Sequence, residues 1–195
     1  MIDQQYFEQL YAQADPFGYR TRWYEERKRA LLLASLGQRN YEHGWELGCS
    51  NGELSAALAN RCRRLLATDL SERAVLLARR RLAAVPGVEV QCARHPGFRP
   101  DVRFDLIVCS ELGYYLDPQQ LPQLRDDIHS VLAGDGLLVA CHWRVPFAEA
   151  GSDAESVHRE LGLGLVEKFH YRDADFILQG WSADPQSVAM REGLR

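Results

Sequence analysis

The stretch "WELGCSNGEL" (45–54) decides the predicted fold of this 195-residue chain. A short apolar segment that contains Glu46 is followed by Gly48 and Gly52, with only small or polar residues between the two glycines. Glycine permits a tight turn and a close approach of the backbone to a ligand, and the first N–H groups of the following helix lack partners. The pattern therefore predicts a strand, a ligand-binding turn and a helix.

Strand and helix patterns alternate on both sides of this turn. Apolar segments predict strands at 44–47, 64–70, 88–93, 104–110 and 137–143. Helical patterns occur at about 52–62, 71–84, 121–132 and 152–161, and two further strands, 165–171 and 174–181, form a terminal hairpin. This order predicts an α/β fold of the Rossmann-like kind, with a mostly parallel seven-stranded sheet, an antiparallel C-terminal hairpin and helices on both faces.

The chain is predicted to be a single domain with four parts. Residues 1–40 form an N-terminal helical lid that "DPFGY" (15–19) interrupts, with a second helix from about 22 to 36. The ligand-binding core is 43–143, the C-terminal helix and hairpin are 144–182, and 183–195 is a tail. The lid is expected to bring Tyr19, Arg22, Trp23 or Tyr24 close to the ligand.

Composition excludes several classes of function. The net charge of −4 argues against a nucleic-acid surface, and basic runs at 25–30 and 78–83 are interpreted as solvated helix faces. The five cysteines are odd in number and show no C-x-x-C spacing, so we expect neither disulfides nor a metal site. The N-terminus does not resemble a signal peptide, and no apolar run could span a membrane. We expect a cytoplasmic protein.

Asp69 indicates which nucleotide the turn binds. It ends the second predicted strand, 69 − 48 = 21 positions beyond Gly48, where an acid typically binds ribose hydroxyls. Ser50 replaces the middle glycine of the dinucleotide fingerprint, no P-loop is present, and Glu46 would repel a phosphate. A ribose site without a phosphate site favours S-adenosylmethionine (AdoMet), which carries a ribose, an ammonium and a sulfonium.

These segments resemble the motifs of class I AdoMet-dependent methyltransferases. "ELGCSNGELS" resembles their first motif, "ATDLS" their second-strand acid, and "FDLIVCSELGYYL" and "LAGDGLLVACHW" their fourth- and fifth-strand regions. The acid that often follows the third strand is absent from "CARHPGF", so backbone groups near Ala93 and Arg94 are expected to bind the adenine. The predicted cofactor contacts are Glu46, Gly48, Cys49, Ser50, Gly52, Asp69, Leu70, Ala93, Arg94 and Ser110.

A narrower resemblance is to the NodS-like methyltransferases, and it spans roughly Asp15 to Trp181. The segments that carry it are "DPFGYRTRWYEERKRALLL", "SELGYYL", "CHWR" and "SVHREL", followed by "ADF". The best-known members, the nodulation S proteins, N-methylate the deacetylated glucosamine end of a chito-oligosaccharide. The resemblance implies a small-molecule acceptor, for which a carbohydrate amine is a candidate.

Two ionisable residues lie where an acceptor base is expected. Glu111 follows the fourth strand and His142 ends the fifth, so both are predicted catalytic residues, with Glu111 as general base or amine anchor. The alternative is structural: Glu111 could cap a helix, and His142 could be hydrogen-bonded beneath a loop. Tyr114, Tyr115 and Trp143 are predicted to bind the substrate, either by stacking on a sugar face or by lining the methyl site, and the alternative for each of them is ordinary packing.

Three other functions stay open at this level. A nicotinamide-dependent oxidoreductase would need the missing middle glycine, and a non-catalytic AdoMet-binding domain would bind the cofactor without turnover. A nucleic-acid methyltransferase would need a motif of the N-P-P-Y kind, where this chain has "SELGYY".

Overall fold

The computed structural model describes residues 4–195, and its strands form one seven-stranded sheet. The strands are β1 (Tyr41–Leu47), β2 (Cys62–Asp69), β3 (Val88–Cys92), β4 (Phe104–Ser110), β5 (Leu132–Trp143), β6 (Val166–Arg172) and β7 (Phe176–Ser182). Their order is β3-β2-β1-β4-β5-β7-β6. β1 to β5 pair in parallel, and β7 pairs antiparallel with both β5 and β6. The predicted mostly parallel sheet with an antiparallel hairpin is confirmed.

Helices pack around this sheet. They are α1 (Gln4–Leu10), α2 (Trp23–Ser35), α3 (Glu53–Leu58), α4 (Glu72–Leu82), α5 (Leu121–Val131), α6 (Ala154–Leu161) and α7 (Val188–Arg191). The hydroxyl of Ser71 caps α4 by accepting the N–H of Ala74 at 3.2 Å, and Asp153 caps α6 through the N–H of Ser156 at 2.7 Å. Both caps satisfy donors that a helix start leaves unpaired.

The core lies on both faces of the sheet. Successive residues of β4 point to opposite faces, and Leu106, Ile107 and Val108 are all buried. Ile107 packs in the cluster that α5 and α6 cover, whereas Leu106 and Val108 pack in the cluster that contains Leu32 of α2. A strand that is apolar on both faces is typical of the centre of a parallel sheet, as the sequence predicts.

Some element boundaries differ from the predicted ones. α3 has only six residues because the chain already pairs with β1 at Cys62. β5 begins at Leu132 rather than at 137, because Leu132 pairs with Phe104 across an irregular step in the ladder. The segment 183–195 contains α7, which the hydroxyl of Ser187 caps. Within residues 4–195, the helices are too short or too polar to cross a membrane.

Gly52 carries a backbone conformation that other residues adopt at a cost. Its φ is +82°, and a Cβ there would lie 3.1 Å from the Cα of Ala78 in α4. We expect Gly52→Ala to lower the free energy of unfolding by about 2 kcal/mol, measured by equilibrium urea denaturation. Gly134→Ala is the matched control, since a Cβ at that position would have no atom within 4 Å. The control should change stability by less than about 0.5 kcal/mol, and equal effects would contradict the prediction.

Candidate active site

A cavity of about 650 Å³ opens at the edge of the sheet where the parallel strands end. The glycine turn after β1, the ends of β2 and β4, and the loop after β3 form its floor. The N-terminal segment, from α1 to the first turns of α2, contributes one wall. The position agrees with the rule that ligands of open α/β sheets bind beyond the carboxyl ends of the strands, where the strand order reverses.

The glycine turn is held by the last residues of β2. The N–H groups of Gly48 and Cys49 donate to the carbonyl of Thr68 at 2.8 and 2.9 Å. Gly48 has a φ of +77° and Ser50 a φ of +51°, so the chain turns sharply at both residues. The serine that replaces the middle glycine therefore adopts a left-handed conformation, and its hydroxyl accepts a hydrogen bond from the hydroxyl of Tyr11 at 2.8 Å.

The Asp69 carboxylate lies beside this turn. Its Oδ2 accepts the N–H of Ser50 at 2.8 Å, and its Oδ1 accepts the N–H of Ser71 at 2.9 Å. Burial raises the pKa of Asp69 to about 6, although these backbone hydrogen bonds favour the charged form. Each carboxylate oxygen keeps a further lone pair, so Asp69 can still accept hydrogen bonds from a ligand that bears hydroxyl groups.

Glu46 lies at the base of the cavity and is almost completely buried. Ser55 of α3 donates its hydroxyl to Oε2 at 2.5 Å, which ties β1 to the helix that follows the turn. Burial raises the pKa of Glu46 to about 8. The side chain therefore helps to organise the turn, and an approaching cation would favour its charged form.

Glu111 begins the wall at the opposite side of the cavity. Its φ of +54° turns the chain sharply after β4, and a strained backbone of this kind is frequent at functional sites. Its Oε1 accepts a hydrogen bond from the ammonium of Lys28 at 2.7 Å. Its Oε2 accepts hydrogen bonds from the N–H of Trp143 at 3.1 Å and from the hydroxyl of Tyr114. Lys28 also pairs with Glu25 at 3.0 Å, so two carboxylates share one buried ammonium.

Aromatic rings surround this buried charge cluster of Glu25, Lys28 and Glu111. The ammonium of Lys28 lies 5.0 Å from the ring centre of Tyr24, which meets Trp143 edge-on at 5.3 Å. Tyr114 and Tyr115 also meet edge-on, at 4.9 Å. The hydroxyl of Tyr114 is bonded to Glu111, and its ring packs against Phe147 at 5.0 Å, so much of this ring is already covered by protein.

His142 does not line the cavity. It is fully buried, its Nε2 accepts the N–H of Gly113 at 3.1 Å, and its Nδ1 lies 3.0 Å from the Nε2 of His158. His158 in turn contacts the side-chain oxygen of Gln179 at 2.8 Å. Burial lowers the pKa of His142 to about 3, so it is neutral at ordinary pH. Both ring nitrogens are occupied, and this geometry is that of a structural residue rather than of a base that touches the acceptor.

Two parts of the N-terminal segment, α2 and the region around α1, are attached to the rest of the protein by different contacts. α2 is anchored in the core through Leu32 and through the pair between Arg27 and Asp173 at 2.9 Å. α1 is held by Tyr11 on the glycine turn and by Glu8, whose Oε1 accepts the N–H of Glu72 at 2.6 Å. Of the expected lid residues, Tyr19, Arg22 and Tyr24 line the cavity, and Trp23 is exposed.

Comparisons with known proteins agree with this geometry. Residues 45–136 match the family model described as a methyltransferase domain. One match is the crystal structure of a Pseudomonas syringae protein that is provisionally named a methyltransferase. It is 48% identical to this chain, the match covers 83% of this chain and 99% of that chain, and the TM-score is 0.74. The chain belongs to the methyltransferase family.

The matches also include the nodulation S proteins. The N-methyltransferase NodS of Bradyrhizobium japonicum, whose structure is a complex with S-adenosylhomocysteine, is 27% identical over 94% of this chain and 98% of NodS, with a TM-score of 0.85. Nodulation protein S of Sinorhizobium fredii is 32% identical over 118 residues, or 59% of this chain and 54% of that protein. The match thus spans about half the length of that relative. The chain is thus similar to the NodS proteins in sequence and in fold.

The cavity fits the cofactor of this family. Among residues 4–195, three buried side-chain polar atoms lack a hydrogen-bond partner: the Tyr24 hydroxyl, Asn51 Oδ1 and His95 Nδ1. All three residues line the cavity. Buried polar groups in native proteins are nearly always paired, so these atoms mark where a polar ligand would complete the structure. Asp69 would hold the ribose, and the glycine turn together with Glu46 would lie against the amino-acid part.

The structure brings together most of the predicted site residues. Those that line the cavity are Glu46, Gly48, Cys49, Ser50, Asp69, Leu70, Arg94, Ser110, Glu111, Tyr114, Tyr115 and Trp143. Gly52, Ala93 and His142 do not line it. Gly52 packs against α4, and the N–H of Ala93 already donates to the carbonyl of Asp69 at 2.8 Å, so that N–H is not free to bind a ligand.

The polar lining residues that sequence reasoning missed include Glu25, Lys28 and His95. Glu25 and Lys28 lie in a charged run whose composition is typical of a solvated face. A signal was present, because positions 25, 28 and 32 share one helix face and Leu32 belongs to the core. His95 follows β3 without a motif that marks it.

The raised pKa of Asp69 predicts a pH dependence of cofactor binding. Only the ionised carboxylate can accept ribose hydroxyls at both oxygens, and in the ligand-free protein it becomes protonated as the pH falls through about 6. We expect the Kd for S-adenosylhomocysteine to rise about tenfold between pH 7 and pH 5, measured by calorimetric titration.

Asp69→Asn is the control for this titration. The variant should bind weakly and without the change between pH 7 and pH 5, because an amide does not titrate in this range. A wild-type Kd that stays constant from pH 7 to pH 5 would contradict the assignment of Asp69 as the ribose ligand.

Proposed function

We propose that this protein transfers the methyl group of AdoMet to the nitrogen of a small-molecule amine. The observation that carries the proposal is the buried charge cluster of Glu25, Lys28 and Glu111 at the wall of the cavity formed by β4 and α2. The similarity to NodS, described as an N-methyltransferase, supports the same reaction. The matches with methyltransferases do not favour the oxidoreductase alternative.

The cluster has the charge that N-methylation needs. Two carboxylates and one ammonium leave a net charge of −1, which favours a positive charge that develops on the acceptor nitrogen. Only a neutral amine has the lone pair that attacks the methyl carbon. A carboxylate of the cluster must therefore accept the proton of a bound ammonium before the nitrogen reacts.

Each residue of the cluster has a separate role in this proposal. When bound, AdoMet would supply an electrophilic methyl group on its sulfonium, with S-adenosylhomocysteine as the leaving group. Glu111 anchors the amine, since Lys28, Tyr114 and Trp143 fix the orientation of its carboxylate. Burial raises the pKa of Glu25, which suits this carboxylate to accept the N–H proton that the product releases.

A carbohydrate amine is the acceptor class that we propose. Tyr19, Tyr24, Tyr115 and Trp143 line the acceptor side of the cavity, and aromatic faces pack well against sugar rings. The resemblance to NodS-like proteins implies the same class. The shared length with the nodulation S proteins is about half of those chains, so the acceptor needs a direct test.

Glu111→Gln tests the role of the anchor. The amide keeps the size of the side chain but loses the charge that pairs with Lys28 and faces the amine. We expect kcat/KM to fall about 100-fold, because misplacement of the nucleophile by the order of 1 Å has effects of this size. The Kd for S-adenosylhomocysteine should change less than about twofold, a difference that falls within a few tenths of a kcal/mol.

Glu89→Gln is the matched control, because Glu89 is exposed on β3 away from the cavity. It should leave both quantities unchanged. The assay follows the release of S-adenosylhomocysteine with an amino sugar, its N-acetylated counterpart and a simple alkyl amine as acceptors. Turnover of the amide or of hydroxyl acceptors, without turnover of amines, would overturn N-methylation. Cofactor binding without turnover of the entire amine panel would favour the non-catalytic alternative.

A further inference from the structure

His95 lies in the loop after β3 and has one ring nitrogen committed to the protein. Its Nε2 is 3.0 Å from the hydroxyl oxygen of Thr68. That hydroxyl donates its single proton to the carbonyl of Glu46 at 3.0 Å and accepts the indole N–H of Trp45 at 3.1 Å. We assign the Nε2 of His95 as the donor of this pair, because the single proton of the Thr68 hydroxyl is used on the carbonyl of Glu46. The Nδ1 atom therefore carries an unshared lone pair.

This lone pair has no partner in the protein. Nδ1 is shielded from solvent and makes no hydrogen bond within residues 4–195. The ring is held between Trp45 and Phe98, with centroid distances of 5.5 and 5.9 Å. Burial lowers the pKa of His95 to about 4, so the ring stays neutral and Nδ1 stays an acceptor at neutral pH. A shielded acceptor without a donor costs free energy until a ligand supplies one.

The strand order places His95 at the base-binding end of the cavity. The glycine turn lies after β1, the ribose ligand Asp69 ends β2, and His95 follows β3, which is the next strand outward. A nucleoside whose ribose is held at Asp69, with its 5′ side toward the glycine turn, directs its base toward this loop. Leu70, Arg94 and Pro96 line the same end.

We propose that His95 recognises the adenine, with Nδ1 accepting a hydrogen bond from the 6-amino group of the cofactor. The residue thereby does the work of the acid that this chain lacks after its third strand. A neutral imidazole acceptor favours a base with a donor at position 6 and disfavours one with hydrogen or a carbonyl there. The inference rests on the proposed cofactor, because it assigns a contact within the AdoMet site.

The test compares two ligands that differ only at position 6. S-adenosylhomocysteine and its 6-deamino analogue, in which hydrogen replaces the amino group, are titrated into the full chain by calorimetry. We expect the wild type to bind the analogue roughly tenfold more weakly, the size of effect that the loss of one buried hydrogen bond produces. His95→Phe keeps a flat ring between Trp45 and Phe98 but has no acceptor, so it should bind both ligands with Kd values within about twofold of each other.

His170→Phe is the matched control, since His170 lies on β6, outside the cavity lining. This variant should keep the wild-type ratio of the two Kd values. An equal ratio in the wild type and in His95→Phe would overturn the inference while leaving the cofactor assignment intact. Failure of the wild type to bind either ligand would overturn the cofactor assignment and this inference together.

A measurement on the unmutated protein covers the case in which His95→Phe does not fold. In ¹⁵N-histidine-labelled protein, the Nδ1 resonance of His95 should have the position of an unprotonated nitrogen. It should shift when S-adenosylhomocysteine binds, because accepting a hydrogen bond changes the shielding of that nitrogen, and shift much less with the 6-deamino analogue. Equal shifts with the two ligands would contradict a contact with the 6-amino group.

Discussion

The hydrogen bonds between the end of β2 and the turn after β1 determine the shape of the site. The carbonyl of Thr68 accepts the N–H groups of Gly48 and Cys49, and the carboxylate of Asp69 accepts that of Ser50. The same carboxylate accepts the N–H of Ser71, where α4 begins. One acid thus fixes the turn and the next helix while its remaining lone pairs face the cavity. This arrangement explains why a serine in a left-handed conformation can replace the usual glycine, since its N–H has a charged acceptor.

The acceptor side of the cavity depends on buried, charged side chains, whereas the glycine turn depends on hydrogen bonds of the backbone. Taking Glu25, Lys28 and Glu111 out of water costs free energy that their mutual attraction only partly offsets. The left-handed backbone at Glu111 adds to this cost. Apolar residues of similar size would pack in place of the three charged side chains without the cost of burying charge. The cluster is therefore better explained by the chemistry of the acceptor than by stability.

The sheet and the cofactor side could be predicted from the sequence, whereas the acceptor side could be predicted only in part. Strand alternation and the spacing of Gly48 and Asp69 are local features, and they indicate both the fold and the proposed ribose site. The ammonium that pairs with Glu111 comes from Lys28 of α2, 83 residues earlier in the chain, and no sequence periodicity predicts such a contact. The position of His142 at the end of β5 predicts a place at the acceptor, yet its side chain points to the layer beneath the cavity.

In that buried layer His142 has a structural role, which its position at the end of a parallel strand does not predict. The N–H of Gly113 can only donate, so the Nε2 of His142 must accept, and its Nδ1 must carry the proton that is shared with His158. The side-chain oxygen of Gln179 on β7 imposes the same tautomer on His158. Both rings are neutral because burial lowers their pKa values. The turn that carries Glu111 and Tyr114 is therefore fixed from α6 and β7, while the cofactor turn is fixed from β2. The two hydrogen-bond networks share no residue, so each of the two turns is held in place by its own set of partners.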